Sequence, residues 1–160
     1  MKLTDVQKAR NLLNKIQNCQ ELDKMSLQEL WDARAKAPKN YLENRFCSNA
    51  EYAYLYARYV IKGRWEKGED AIRQDAEYAY RYAKNFIKGP WEKGEDAISK
   101  SVGHAYYYAK DVIKGAFEKG EDAISKDNHY CLEYAELLLP NVSEKILNAI
   151  KAIAENKKAS

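Results

Sequence analysis

A chain of 160 residues that is 32% charged yet carries a net charge of only +3 is long enough for one compact domain or a short repeat array, with its charges mixed rather than segregated. That pattern excludes a histone-like or acidic tail and makes any anion-binding site a local one. Met1 opens a polar amphipathic stretch, and no run approaches the roughly 18–20 apolar residues of a membrane span, so a soluble, intracellular chain with no membrane partner is expected.

Residues 1–48 read as N-terminal capping helices with a degenerate repeat. Val6, Ala9, Leu13 and Ile16 make a helical stripe after Thr4, and Leu27, Leu30 and Trp31 open another helix after Ser26. Pro38 stands in the register of Arg64 and Pro90. The cysteines Cys19, Cys47 and Cys131 form no CxxC pair and are expected as reduced thiols in packed helices.

Residues 49–126 are three tandem copies of one unit: NAEYAYLYARYVIKGRWEKGEDAIRQ, DAEYAYRYAKNFIKGPWEKGEDAISK and SVGHAYYYAKDVIKGAFEKGEDAISK, with a period of 26 residues. Asn49, Asp75, Ser101 and Asp127 share a repeat position and can each cap a helix start. The capped helix, A, is predicted near 50–62, 76–88, 102–114 and 128–138. Gly63, Gly89 and Gly115, each preceded by a lysine, are expected to end it in left-handed conformation. Pro90 then suits the first residue of a shorter helix B, which carries Trp91, Ala97 and Ile98.

In the second unit Tyr78, Ala79, Tyr82, Ala83, Phe86 and Ile87 make one broad apolar stripe that should pack inward, large beside small. Glycine inside helix B costs about 1 kcal/mol against alanine. Its recurrence as Gly68, Gly94 and Gly120 predicts close contact between stacked units. Residues 127–160 are a diverged C-terminal capping repeat and polar tail. There Ile146 replaces the glycine, Ile146, Leu147, Ile150 and Ile153 should face inward, and Asn156 onward should fray. The fold class is all-α, an α-solenoid of tandem helix-turn-helix repeats with capping helices.

The units beginning at Tyr52, which read YAYLYARYVIKGRWEKGE over residues 52–69, resemble short helical repeats of uncharacterised bacteriophage proteins. The resemblance covers residues 49–126 closely and the flanks poorly. It implies a phage or mobile-element origin, hence the host cytoplasm, and carries no active site. In shape the unit is similar to tetratricopeptide-like helix pairs, though shorter than their usual ~34 residues.

No phosphate loop, HExxH, GxSxG or deaminase-type signature occurs, so no enzyme, cofactor or metal is expected. His104 replaces a tyrosine of the other units and reads as a packed boundary side chain, while His129 lies in a first turn on the polar side. Glu66, Glu69 and Asp70, repeated at Glu92, Glu95, Asp96 and at Glu118, Glu121, Asp122, sit on one helix face. They read as dipole-complementing carboxylates neutralised by Lys67, Lys93 and Lys119.

Twelve of the thirteen tyrosines, all but Tyr41, fall in the A helices. On a helical wheel Tyr54, Arg58 and Lys62 share a sector, as do Tyr80, Lys84 and Lys88 and again Tyr106, Lys110 and Lys114. That ribbon is either a binding face or the rim of the core. As a face it suits a protein-binding scaffold whose partner offers an acidic surface or peptide, for instance a host protein engaged by a phage product. The alternative is a nucleic acid or nucleotide held by charge and stacking.

Overall fold

The computed structural model describes residues 7, 14, 21–35 and 37–158, with side chains to residue 156, and every regular element in them is helical. The predicted stripe from Thr4 to Ile16 and Cys19 lie outside the described residues, as do the last two residues of the tail. Two compact units divide between Phe46 and Cys47.

In the first unit the helix Leu27–Asp32 starts as predicted at Ser26, whose side chain accepts from the Glu29 N–H while the Glu29 carboxylate accepts from the Ser26 N–H. The helix Lys39–Phe46 contributes Leu42 and Phe46, buried with Leu30. Trp31 meets the Phe46 ring edge-on at 5.8 Å. Arg45 ties the preceding turn down by donating to the Met25 carbonyl at 3.0 Å.

The second unit holds the repeats. Asn49, Asp75 and Asp127 cap their A helices by accepting from N–H groups two or three residues on. Ser101 does not. Its hydroxyl bonds the His104 imidazole at 2.9 Å, which removes it from the helix start. The A helices then run Ala50–Tyr56, Ala76–Tyr82, Val102–Tyr108 and Asn128–Leu138. Successive A helices pack on one another, and each packs on the B helix of its own repeat. Ala53, Ala79 and Ala105 have no exposed surface, and neither do Tyr56, Tyr82, Tyr108 and Tyr134, so small residues admit a neighbour where large ones fill. Each fully buried ring contributes about 2–3 kcal/mol.

The first three A helices end in a widened π turn, over Ala57–Ile61, Ala83–Ile87 and Ala109–Ile113. The turn closes on the lysine that follows: Lys88 N–H bonds the Ala83 carbonyl at 2.7 Å. In the fourth repeat Pro140 occupies that lysine's place and has no N–H to give, so the helix stays α through Leu138. The lysine is also the left-handed residue, with φ of 57°, 59° and 58° at Lys62, Lys88 and Lys114. This corrects the expectation for glycine. The lysine closes the widened turn through its own N–H and takes the left-handed conformation there, and the glycine follows it without positive φ. A Cβ on Gly63, Gly89 or Gly115 would meet nothing within 4 Å, and the structure offers no steric reason for glycine there.

Pro90 is likewise not the first residue of helix B. It and Trp91 are outside the helix, which spans Glu92–Ile98, and Trp91 has φ −129° and a buried ring. In the neighbouring repeats a 3-10 turn, Glu66–Gly68 or Glu118–Gly120, leads into Glu69–Ile72 or Glu121–Ile124.

The B-helix glycine makes room inside its own repeat and not between repeats. A Cβ on Gly94 would fall 2.5 Å from the Trp91 ring and 3.1 Å from Ala79 Cβ, and one on Gly120 would fall 2.5 Å from Phe117 and 2.9 Å from Ala105. The aromatic ring folds back over the glycine. In the fourth repeat both partners change together: Ser143 stands where the ring would be, and Ile146, fully buried, stands where the glycine would be. Each repeat thus pairs one bulky group with one small one at these two positions, in the opposite order in the fourth. The last helix, Glu144–Lys158, continues past the predicted frayed point, and Ile146 and Ile153 are buried, whereas Leu147 is 44% exposed and not inward.

Candidate functional site: the seam between repeats and its cationic edge

A tyrosine that recurs in all four A helices reaches backward into the preceding repeat. Trp65 N–H donates to the Tyr82 hydroxyl, Trp91 N–H to Tyr108 and Phe117 N–H to Tyr134, each at 2.7 Å. These hydroxyls donate in turn to Glu69 at 3.3 Å, Glu95 at 3.2 Å and Glu121 at 3.3 Å. The extended residue before helix B would otherwise bury an orphan N–H, and the tyrosine satisfies it while locking two repeats in register. Burial pushes the phenols of Tyr82 and Tyr108 up to about 12 and that of Tyr134 up further in the same direction. The proton stays on oxygen, as donation to a carboxylate requires.

Glu69 is only 2% exposed. Burial pushes its carboxyl up, but hydrogen bonds from Arg64 at 2.6 Å and from Lys93 of the next repeat at 3.0 Å outweigh that and hold it below the usual range. Pro90 and Ala116 replace Arg64 in the following repeats. Glu95 therefore relies on Lys119 at 3.0 Å, and Glu121 on the Ser143 hydroxyl at 2.8 Å. The acidic cluster is thus split. Glu69, Glu95 and Glu121 turn into the seams, while Glu66, Asp70, Glu92, Asp96, Glu118 and Asp122 stay exposed. Among the described residues no group of three His, Cys, Asp or Glu is placed to hold a metal ion.

The ribbon divides by residue type. Tyr54 and Tyr106 are 1% and 3% exposed, and Tyr80 is half-buried. Their rings pack forward on Tyr78, His104 and Tyr130 of the next repeat, at 5.7, 6.1 and 5.4 Å between centroids. His104 is accordingly a packed boundary ring, while His129 is exposed. The ribbon hydroxyls are occupied as well. Asn85 donates to Tyr54 at 2.9 Å, and Tyr80 donates to the equivalent Asp111. The fourth repeat has Leu137 at that place, which cannot accept, and Tyr106 donates instead to Glu133 at 3.0 Å.

Of the cations, Arg58 and Lys110 lie against Tyr54 and Tyr106 at 3.3 and 3.0 Å. Lys84 bridges Tyr80 and Asp111, 2.8 Å from the carboxylate. Hydrogen bonds from that pair raise the Lys84 pKa, and although burial opposes it, the same bonds hold Asp111 below the usual carboxylate range. Lys62, Lys88 and Lys114 differ: all three are exposed at the left-handed turn, outside the ion pairs of the described residues. No described helix is long and apolar enough to cross a membrane.

No family model, curated protein or solved structure matches this chain. The fold encloses Tyr54 and Tyr106, half-buries Tyr80 and leaves Lys62, Lys88 and Lys114 exposed. A polar cleft of about 430 Å³ lined by Arg73, Asp75, Lys93, Asp96, Lys100 and Ser101 involves none of the predicted ribbon residues. The Tyr82–Glu69 pairing was not anticipated from sequence. Its signal was there, since the tyrosine recurs four times and the glutamate disappears, as Leu147, only in the last copy.

Proposed function

We propose that the chain is an α-solenoid scaffold that binds a protein partner through an acidic segment, held by the edge of Lys62, Lys88 and Lys114. The supporting observation is the conformation of these residues. A left-handed backbone costs a residue with a Cβ about 1–2 kcal/mol, and glycine would avoid that cost. The repeats nevertheless keep lysine there three times, with the head group in water. A cation at the helix C-terminus recovers about 0.3–1 kcal/mol through the dipole, less than the strain. Three like charges at one repeat spacing favour an extended anionic ligand by multiplicity, with modest contacts adding along one surface. The phage-product reading, with a host protein as the target, rests on the resemblance of the repeat unit.

The nucleic-acid alternative draws on the same charges but lacks stacking from Tyr54 and Tyr106, whose rings are enclosed. Titration of a fluorescent glutamate-rich peptide and of a single-stranded oligonucleotide, each with the wild type and with Lys62→Glu/Lys88→Glu/Lys114→Glu, tests both readings. Peptide binding weakened at least tenfold by the triple variant is the expected result, with the variant still fully helical by circular dichroism although the lost helix-end charges lower its melting temperature. Peptide affinity that ignores the reversal sinks the proposal, and preference for the oligonucleotide selects the alternative.

A further inference from the structure

Three aspartates share one position of the repeat, and they are not treated alike. Asp70 pairs with Arg73 at 3.1 Å and Asp122 with Lys145 at 2.6 Å. Among the described residues the Asp96 carboxylate has neither a hydrogen bond nor an ion pair. The cause lies in the seam. Pro90 stands where the first repeat has Arg64, so Glu95 takes Lys119, the cation whose counterpart one repeat later reaches Asp122. In that later seam the Ser143 hydroxyl serves Glu121 and leaves Lys145 to the aspartate. Lys100, four residues after Asp96, does not close the pair either. Helix B ends at Ile98, and the lysine beyond it is exposed and outside the ion pairs of the described residues.

Asp96 and Lys100 both line the polar cleft of about 430 Å³, which the turn from Arg73 to Ala76 closes on its other side. Two further charges of that lining are already committed. Asp75 accepts from the Glu77 and Tyr78 N–H groups, and Lys93 is held by Glu69. Arg73 has only its pair with the exposed Asp70, which water screens and a better-placed carboxylate displaces. We propose that this cleft binds a small zwitterion of the α-amino-acid type, its ammonium on Asp96 and its carboxylate on Lys100 and Arg73. A simple anion would leave Asp96 without a counter-charge, and a simple cation would leave Lys100 without one. A zwitterion meets both through charge-assisted hydrogen bonds. Only Ala76 and Ala97 contribute apolar side chains to the lining, and the Gln74 amide has no partner, so a ligand with a polar side chain fits better than an apolar one. The cleft is open to water and its charges are screened, which places the affinity in the millimolar range.

Titration of the isotope-labelled full chain with L-glutamine, followed by amide NMR shifts, tests this directly. Saturable shifts centred on residues 73–76 and 93–101 are the expected result. N-acetyl-L-glutamine, which lacks the ammonium, and L-glutamine amide, which lacks the carboxylate, should each bind at least about fivefold more weakly. Asp96→Asn and Lys100→Gln should each weaken L-glutamine binding by a similar factor. Both side chains are exposed and unpaired, so the variants should keep the wild-type spectrum away from the cleft. Asp96→Asn should also remove the preference for L-glutamine over its N-acetyl form, a change that a merely structural aspartate would not produce. Absence of saturable shifts at tens of millimolar L-glutamine overturns the proposal, as does an affinity that neither substitution alters. N-acetyl-L-glutamine binding as tightly as L-glutamine to the wild type overturns it too, because the cleft would then be a plain anion site.

Discussion

The hydroxyl of Tyr82 lies 2.7 Å from the backbone nitrogen of Trp65, seventeen residues earlier in the chain, and it is the device that joins one repeat to the one before it. The same bond recurs unchanged at Tyr108 and Tyr134. The phenol serves as acceptor for an amide and donor to a carboxylate at once, so removing one atom breaks two bonds.

Tyr82→Phe should therefore destabilise the protein by about 1–3 kcal/mol, since it leaves the Trp65 N–H buried without an acceptor while keeping the ring's packing. Tyr108→Phe and Tyr134→Phe should fall in the same range. Urea denaturation of the three variants checks this, and three near-zero effects would show that the seam is held by ring packing alone.

Gly94→Ile should cost about 1–3 kcal/mol or more by driving a side chain into the Trp91 ring. Adding Trp91→Ser, which imitates the Ser143 and Ile146 arrangement of the fourth repeat, should recover part of that loss. The double-mutant cycle is expected to show a coupling of at least ~1 kcal/mol. Additive effects would mean that the ring and the glycine do not share one space.

At the helix A terminus, Lys114→Gly should stabilise by about 0.5–1 kcal/mol through relief of the left-handed conformation, and Gly115→Ala should be neutral or stabilising. If the glycine were the left-handed residue, Gly115→Ala would be the damaging change. Thermal melts of the two single variants distinguish these arrangements.

Stability should fall at both ends of the pH scale. Glu69 has a folded pKa below its ordinary value of 4.5, so its contribution is present above that value and is lost as pH falls through the lowered one. Tyr82 and Tyr108 have folded pKa values raised from 10 to about 12, so their contribution is complete below pH 10 and is lost as pH rises through 12. Urea midpoints measured across pH 3–5 and 9–12 should show both declines. Glu69→Gln should flatten the acid limb, and Tyr82→Phe/Tyr108→Phe the alkaline one.

The sequence alone determined that the chain is helical, where each A helix begins, and that one unit recurs with a period of 26 residues, because N-caps, apolar periodicity and internal repetition are local signals. It also marked the lysines that prove exposed, since long cations beside an apolar stripe stay in water whatever the packing. Three things were decided only in three dimensions. Whether a ribbon tyrosine is rim or core depends on a helix one period away, which is why Tyr54 could read as exposed and proves enclosed by Tyr78 and Phe86. Which of three neighbouring carboxylates enters the seam depends on a hydroxyl thirteen residues later, and so Glu69 and Asp70, adjacent and alike in sequence, end as a buried acceptor and an exposed charge. The π turn moved the left-handed residue from Gly63 to Lys62. Local propensity favours glycine there, but the turn is closed by a backbone N–H, and that bond, with the packing of the helices on either side, outweighs a preference of about 1 kcal/mol.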